Sequence, residues 1–531
     1  MDQGINLRDR ASGFAFLAGC AAVTIGVLLH LPMFWMGKDM GFRMVNMPMD
    51  SGMIVGMFLI VGGIAVAAWG LLPKNVKAQI EASRHISVAA PEDAPLSAAH
   101  WRLMAVLVVA LIIDIMKPAS LGFIMPGMTV EYGVPKAIAS LVPFAALAGT
   151  VTGSIIWGII ADIYGRKASI LLSAVMFVGT SICGAMPSLA WNIAMCFLMG
   201  AAAGGMLPVT YALLAEIMPS KHRGWALVLV GGLGAAGGYF AASGFSAWLE
   251  PIFSWRILWL LNLPTGLILL FMGSLIPESA KFLLARGRRA EAQAVMARFG
   301  TQSHQHGDEE EDIDFTPVHA TGHSTTGHSI GGLWSRGFLG KTSALSTLAI
   351  AWGLINFGLL LWLPADLVAK GHSMSVSSAL LAQSALIAFP TVFAVAFLYS
   401  RWSTKRSLVT AMLVTLLGLV GTLLIDTYAS ISPVLPIALL IIGSNGILAI
   451  LLPYAAESYP LHIRGRATGW IAACTKAGGL MAQGLSISAL VPPLGVAAVM
   501  IIAPILVGLA LVARFCNETR GLDLRSLENQ T

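Results

Sequence analysis

Apolar stretches long enough to cross a bilayer recur along this 531-residue chain and constrain its fold more than any other feature. A hydrocarbon core about 30 Å thick takes roughly 20 residues of α-helix. Inside lipid the backbone must be hydrogen-bonded within each segment, so these stretches are predicted to be helices, since barrel strands are about half as long. We place fourteen spans, near residues 13–35, 51–72, 101–126, 140–161, 168–186, 191–215, 225–248, 257–276, 343–365, 377–399, 407–426, 433–456, 467–489 and 495–514.

The composition excludes several other classes of protein. Hydrophobic residues make up 57% of the chain and charged residues 11%, whereas soluble domains carry about 25% charged residues. A soluble enzyme, a disordered tail protein and a disulfide-stapled secreted module are therefore excluded. The five cysteines form no C-x-x-C pair, so neither a disulfide framework nor a zinc ribbon is indicated. We expect a lipid-embedded protein that is not an enzyme and needs no cofactor or resident metal.

Basic residues are distributed unevenly among the loops that join the last twelve spans. The external loops contain only Lys136, Arg256 and Lys370, whereas the internal loops and the tail contain several times as many. Because Lys and Arg accumulate on the cytoplasmic side, both ends of this core are predicted to be cytoplasmic, in a bacterial-type inner membrane. The first two spans form an extra hairpin that must deliver Trp101 to the cytoplasmic side. The net charge of +6 then reflects orientation and not binding of nucleic acid.

One sequence pattern, E-x-x-P-x-x-x-R-G, occurs twice. It runs from Glu216 to Gly224 and again from Glu457 to Gly465, an offset of 241 residues. Each copy ends the fourth span of a group of six, so the core is predicted to consist of two parallel six-helix halves. In transporters built this way the substrate lies near the midplane between the halves. The predicted parts are an N-terminal hairpin (1–72), a cytoplasmic linker (73–100), an N-terminal half (101–280), a cytoplasmic central loop (281–342), a C-terminal half (343–514) and a cytoplasmic tail (515–531).

Further motifs resemble a known family. The segment from Gly158 to Lys167 reads G-I-I-A-D-I-Y-G-R-K and resembles the signature G-x-x-x-D-[RK]-x-G-R-[RK] of the major facilitator superfamily, except that Ile163 replaces a base. The run P-E-S-A-K-F-L at 277–283 is similar to the P-E-S-P-R-[FW]-L run of sugar porters and of organic-ion and synaptic-vesicle-type transporters. The tail E-T-R-G at 518–521 is similar to their P-E-T-K-G ending.

This resemblance covers residues from about 100 to 531. It implies an all-α, polytopic 12-helix major facilitator fold, here with the extra N-terminal hairpin, and secondary transport by alternating access. It further implies that residues at the cytoplasmic helix ends act in gating, through salt bridges between the halves. Those positions are Gly158, Asp162, Gly165, Arg166, Lys167, Glu216, Arg223, Glu457 and Arg464. The alternative for the acid and base pairs is ordinary solvation of helix ends. Arg401 stands where the second half should have an acid, so the gating charges are predicted to be asymmetric.

Three charged residues, Asp114, Lys117 and Lys476, lie deep inside predicted spans, far from the span ends. Such a side chain at the bilayer centre costs about 3 kcal/mol or more and is a functional candidate by default. Lys476 lies ten residues beyond Arg466, about 15 Å deep, and Asp114 lies at a similar depth on the first core helix. Lys117 follows Asp114 at i+3. The surplus of one cation favours an anionic substrate, and Asp114 is the candidate for proton coupling. The structural alternatives are a permanent Asp114–Lys117 pair and a Lys476 that only pairs with another helix.

Four neutral polar residues complete the predicted substrate site, although each has the alternative of simple helix packing. They are Asn356, Trp362, Asn445 and Tyr211.

The first hairpin contains a methionine-rich segment that suggests a second function. Thioethers suit soft Cu(I), but methionine is also a flexible apolar filler. The segment holds Met33, Met36, Met40, Met44, Met47, Met49, Met53 and Met57.

Taken together, the sequence features predict a proton-coupled transporter for a small organic anion of the carboxylate type. The alternatives are a sugar or polyol porter and a copper-linked transporter.

Overall fold

The chain folds into long, mostly apolar helices. The computed structural model describes residues 10–71, 86–89, 94–273, 275–285, 287–305, 333–427, 432–459, 461–488 and 493–520. The predicted hairpin contains α1 (Arg10–Leu28), α2 (Leu31–Met36) and α3 (Ser51–Leu71). The predicted linker contributes one short strand, β1 (Ile86–Ala89).

The first half begins with one of the longest helices of the described chain. Its helices are α4 (Ala98–Tyr132), α5 (Lys136–Ala139), α6 (Leu141–Tyr164), α7 (Arg166–Gly179), α8 (Leu189–Ala203), α9 (Met206–Ile217), α10 (Ser220–Phe253), α11 (Ile257–Leu260) and α12 (Asn262–Met272). The central loop contributes α13 (Ala280–Ala285), α14 (Arg289–Phe299) and β2 (Gln302–Gln305). Strand β2 pairs antiparallel with β1, with Ile86 opposite Gln305, and so connects the central loop to the linker.

The second half has the same kind of helices. They are α15 (Leu339–Leu354), α16 (Leu360–Ala369), α17 (Met374–Ala388), α18 (Thr391–Arg401), α19 (Thr404–Thr427), α20 (Val434–Ser458), α21 (Leu461–Ile487) and α22 (Leu494–Phe515).

Eleven helical segments within the described ranges are long and apolar enough to cross a membrane. They match eleven of the predicted spans. The span predicted at 191–215 is divided into α8 and α9 by a turn at Gly204 and Gly205. The span predicted at 257–276 is a shorter apolar helix, and α21 carries Arg466 and Lys476 within its 27 residues. The protein is thus a multi-pass helical membrane protein, and the count of fourteen spans stays a prediction.

Helices α1 and α3 pack antiparallel at very short range. A side chain at Gly63 would place its Cβ 2.8 Å from the Gly19 carbonyl oxygen, and one at Gly26 would lie 2.6 Å from the Gly56 carbonyl oxygen. Only glycine allows such backbone contact. By contrast, a Cβ at Gly62 would meet no atom within 4 Å.

The hairpin packs on the first half, where α1 and α3 both contact α7. Met33, Met44 and Met53 are at most 1% exposed and belong to the apolar cluster between these helices. Three of the eight methionines therefore act as core residues, whereas Met36 and Met40 are more than half exposed.

The two halves contact each other near the ends predicted to be external, which are called outer below. The Ser140 and Ser486 hydroxyl oxygens are 2.5 Å apart, and those of Ser246 and Ser378 are 2.8 Å apart. Each hydrogen bond joins one half to the other, from Ser140 between α5 and α6 to α21, and from α10 to α17.

Candidate functional site

Two of the three intramembrane charges are deeply buried on α4. Asp114 is 5% exposed and Lys117 is 2% exposed, while Lys476 on α21 is half-buried. The charge of Asp114 interacts with those of both lysines, one from its own half and one from the other. The structure thus brings the three predicted residues into one electrostatic group that bridges the halves.

Lys117 does not form the local pair with Asp114 that its i+3 position allows. Its Nζ lies 2.8 Å from the centroid of the Phe177 ring on α7 and makes no hydrogen bond to the part of the chain that the structure describes. A cation over a ring face is attracted by the ring quadrupole. The Oδ1 of Asp114 likewise accepts no hydrogen bond from a described residue. Asp114 is therefore not neutralised by a direct contact with Lys117.

Lys476 faces an irregular part of the seventh core helix. Between α15 and α16 the residues Ile355–Leu359 form one π-helical turn, a feature found often at functional sites. The Lys476 Nζ lies 5.1 Å from the ring centroid of Phe357 in this turn. The Phe357 carbonyl accepts a hydrogen bond from the side-chain amide of Gln483, which lies on the neighbouring helix α21. Ammonium, aromatic ring and π-turn thus meet at one place.

The neutral candidates are divided among different depths. Asn356 lies in the π-turn and donates to the Trp352 carbonyl over 3.2 Å. Asn445 on α20 is 8% exposed, and its Nδ2 makes no hydrogen bond within the described chain. Tyr211 on α9 directs its hydroxyl at Gly231 of α10, nearer the inner end. Trp362 lines a cavity near the outer end.

At the inner end of the first half, four of the predicted gating residues form one connected cluster, namely Gly165, Arg166, Lys167 and Glu216. The Arg166 guanidinium pairs with the Glu216 carboxylate over 3.0 Å. The Ser279 hydroxyl also donates to Glu216. Next to it, Glu278 accepts the backbone N–H groups of Arg166 (2.9 Å) and Lys167 (3.4 Å) and so caps the N-terminus of α7. Burial raises the pKa of Glu278, against the opposing effect of these N–H groups.

Gly165 is required at this cap for two reasons. Its φ of +97° is one that side-chain-bearing residues rarely adopt. A Cβ there would also lie 2.6 Å from the Glu278 carboxylate.

The second half repeats this cluster with different residue types. The Glu457 carboxylate accepts hydrogen bonds from the Thr519 hydroxyl (2.9 Å) and the Tyr399 hydroxyl (2.7 Å). Glu518 accepts the Thr404 N–H (2.9 Å) and caps α19 as Glu278 caps α7. A tyrosine hydroxyl thus contacts the glutamate of the second half, where the Arg166 guanidinium contacts the glutamate of the first half.

Glu518 is strongly stabilised as a carboxylate. Partial burial alone would raise its pKa, but hydrogen bonds from Ser403, Thr404 and the Arg520 N–H outweigh burial and lower the pKa to about 2.

The roles of Ser279, Thr519 and Tyr399 were missed at the sequence level. The signal was present for two of them, because E-S at 278–279 and E-T at 518–519 are offset by 240 residues, nearly the offset of the repeat.

The inner clusters of the two halves lie against each other. A Cβ at Gly224 of α10 would lie 2.9 Å from the Glu457 Oε1 and 3.0 Å from the Tyr399 ring. The charge of Arg223 also acts on Glu457 across this junction. The surroundings of Gly158 and the side chains of Asp162 and Arg464 lie outside what the structure describes.

The outer end of the first half contains a buried ion pair that the sequence did not reveal. The Arg256 guanidinium pairs with Glu131 over 2.7 Å, and the two side chains are 0% and 4% exposed. Arg256 also donates to the carbonyls of Gly184 and Met186. Glu131 accepts the Met44 N–H of the hairpin loop over 2.8 Å, so this network attaches the hairpin to α4.

Comparison with known proteins gives consistent matches. The family model described as Major Facilitator Superfamily matches residues 104–483. The niacin transporter NiaP of Acinetobacter baylyi is 26% identical over 398 residues, covering 74% of this chain and 87% of that protein. The 4-hydroxybenzoate transporter PcaK of the same organism is 27% identical over 425 residues, covering 77% of this chain and 90% of that protein.

Among solved structures, the proton:xylose symporter XylE of E. coli superposes with a TM-score of 0.62. It is 15% identical and covers 82% of this chain and 99% of that chain, a likeness that shows the fold alone. The family match begins after the hairpin, covers nearly all of the predicted first half and ends within the predicted second half, before its last helix.

Proposed function

Because the chain belongs to the major facilitator superfamily and is a membrane transporter, we propose that it carries a small organic anion by alternating access, coupled to protons. The substrate class is a carboxylate that bears a ring. The observation that carries this proposal is Lys476, an intramembrane cation from the second half that faces the Phe357 ring. A carboxylate pairs with the ammonium, and a ring packs on Phe357.

The charge balance of the site supports an anion. Lys117, Lys476 and Asp114 carry one positive charge in excess when all are ionised. A bound carboxylate neutralises this excess in a medium where uncompensated charge is costly. Two relatives are named as transporters of niacin and of 4-hydroxybenzoate, and both of these compounds are ring-bearing carboxylic acids.

Asp114 is the proposed proton-coupling residue. It is buried, it lies within the field of two lysines, and its Oδ1 accepts no hydrogen bond within the described ranges. Lys117 is proposed to hold a positive charge beside Asp114. The proposed polar contacts of the substrate along its path are Asn356, Asn445, Tyr211 and Trp362. Arrival of a carboxylate at Lys476 would weaken the attraction between Lys476 and Asp114 and so favour protonation of the acid.

Gating is proposed to occur at the inner clusters. Arg166–Glu216 and Tyr399–Glu457 hold each half together. The close approach of Gly224 to Glu457, and the attraction between the charges of Arg223 and Glu457, close the inner end. Opening towards the cytoplasm requires this junction to separate. We assign the same class of role to Gly158, Asp162, Gly165, Lys167 and Arg464 on the basis of their motif positions.

The membrane arrangement is part of the proposal. It comprises fourteen spans, an N-terminal hairpin beside the 12-helix core, an inner-membrane location and cytoplasmic termini.

Two alternative functions are less favoured. A sugar porter is less favoured because an uncharged substrate would not neutralise the excess charge at the centre. A copper-linked transporter is less favoured because three methionines of the hairpin are core residues.

Uptake into proteoliposomes tests the proposal. Labelled nicotinate, 4-hydroxybenzoate and xylose are offered to the wild type, to Lys476→Gln and to Lys38→Gln, whose lysine is exposed in the hairpin loop. We expect carboxylate uptake by the wild type and by Lys38→Gln. Loss of a charged hydrogen bond of about 1.5–3 kcal/mol should raise the KM of Lys476→Gln at least tenfold. Uptake of xylose alone, or an unchanged KM in Lys476→Gln, would contradict the proposal.

A further inference from the structure

A cavity of about 240 Å³ lies near the outer end, between helices of the two halves. Its walls come from α4, α5, α16 and α21 and are mostly apolar. They include Met125, Pro126, Lys136, Leu361, Trp362 and Gln483. Sites for drug-sized ligands occupy about 300–1,000 Å³, so this cavity suits a smaller molecule with a single ring.

The polar groups of the cavity favour an anion. The Lys136 Nζ lies 5.7 Å from the centroid of the Trp362 ring, and Lys136 forms no ion pair within the described ranges. The acid near it, Asp366, already pairs with Lys370 over 3.1 Å. Trp362 is 8% exposed, and its indole Nε1 makes no hydrogen bond to described residues. A cation and an indole N–H donor therefore occur together beside an aromatic face.

The cavity is separate from the central charges but adjoins them. Along α4, Met125 lies eleven residues beyond Asp114, about 16 Å at the helical rise. Gln483 lines the cavity and donates its amide to the Phe357 carbonyl, and the ring of Phe357 faces Lys476. One side of the cavity is thus in direct contact with the π-turn of the central site.

We propose that this cavity is an outer binding site for a small, planar monocarboxylate, occupied when the anion is on the outer side of the central site. The inference rests on the proposed function. The carboxylate pairs with Lys136 and accepts the Trp362 N–H, and the ring packs between the Trp362 face and the apolar wall of Met125, Pro126 and Leu361. Lys136 therefore contributes to recognition of the anion before Lys476 does.

Cysteine protection tests this site. Ala365→Cys, and separately Val368→Cys, places a thiol on the cavity wall in a Lys476→Gln background that lacks the central anchor. The rate of labelling by a membrane-impermeant maleimide is measured with and without 4-hydroxybenzoate. At ten times its dissociation constant the ligand leaves about one site in eleven empty, so labelling should slow about tenfold. The chain without the new cysteine supplies the background rate.

Three comparisons decide the outcome. Adding Lys136→Gln should abolish protection, adding Lys38→Gln should preserve it, and the neutral isostere 4-hydroxybenzamide should protect much less. The site is overturned if 4-hydroxybenzoate slows labelling at neither cysteine, or if Lys136→Gln leaves protection intact. Protection without carboxylate uptake by the wild type would instead overturn the proposed function alone, and uptake without protection would overturn the outer site alone.

Discussion

The Thr519 hydroxyl donates a hydrogen bond to Glu457 over 2.9 Å, and the Ser279 hydroxyl does the same for Glu216 in the other half. The two bonds occupy equivalent places, because the residue before each hydroxyl is a glutamate that caps a helix. The internal repeat is therefore structural as well as sequential. It includes the segments that follow each six-helix half, which lie far along the chain from the glutamates they contact.

The Glu518 cap should make stability depend on pH. Its pKa is about 2 in the folded state against an ordinary value of 4.5. The stabilisation by the ionised carboxylate is complete above about pH 4.5 and is lost as the pH falls towards 2. Thermal unfolding of Glu518→Gln should show a loss of about 1 kcal/mol at pH 7, and the gap to the wild type should narrow below pH 4.5. The exposed Asp39 of the hairpin loop provides the control Asp39→Asn, and a gap that is constant down to pH 3.5 would contradict this account.

Adjacent glycines of α3 should respond differently to the same substitution. Gly63→Ala places a Cβ 2.8 Å from the Gly19 carbonyl oxygen, so α1 and α3 must move apart, whereas Gly62→Ala meets open space. Overpacking of this kind destabilises by about 1–3 kcal/mol. We expect a lower midpoint of thermal unfolding for Gly63→Ala and an unchanged or slightly higher one for Gly62→Ala. Equal behaviour of the two variants would show that the hairpin is not packed as described.

Removal of Arg256 should destabilise the outer end of the first half. Arg256→Met leaves the Glu131 carboxylate buried without its cation, a change that costs about 3–5 kcal/mol. Because Glu131 also holds the hairpin loop through the Met44 N–H, protease cleavage within residues 37–50 should accelerate. The double variant Arg256→Met/Glu131→Gln should recover part of the stability, and no recovery would mean that the pair is not coupled.

Asp114→Asn should separate substrate movement from proton movement. The variant removes the only acid in the central electrostatic group but preserves the shape of the side chain. Uphill accumulation driven by a pH gradient should be lost, while exchange of labelled for unlabelled substrate should continue. Counterflow and gradient-driven uptake are measured on the same vesicles. Gradient-driven accumulation at the wild-type level would exclude Asp114 as the coupling residue.

Position along a helix could be predicted from the sequence, but rotation about the helix axis could not. Counting residues placed Asp114 and Lys476 well inside predicted spans, and the structure has both inside helices, Asp114 buried and Lys476 half-buried. The same count cannot say that Lys117 is directed at Phe177 on α7, because helix packing sets the direction of each side chain.

The π-turn was also beyond sequence reasoning. Nothing in the residues Ile355–Leu359 distinguishes it from an α-helical run, since the extra residue per turn depends on contacts with α21. The repeated motif, in contrast, singled out Glu216 and Glu457, which the structure places in two similar clusters, although their hydroxyl donors lie beyond the motif. Their role in gating stays a prediction.

Because the hairpin is attached to one half, the two halves differ in width in the plane of the bilayer. Helices α1 and α3 lie on α7, and the loop between them is bonded to Glu131, all within the first half. A wider body meets more resistance from the surrounding lipid when it tilts. During transport the first half should therefore tilt little, while the narrower second half makes the larger movement.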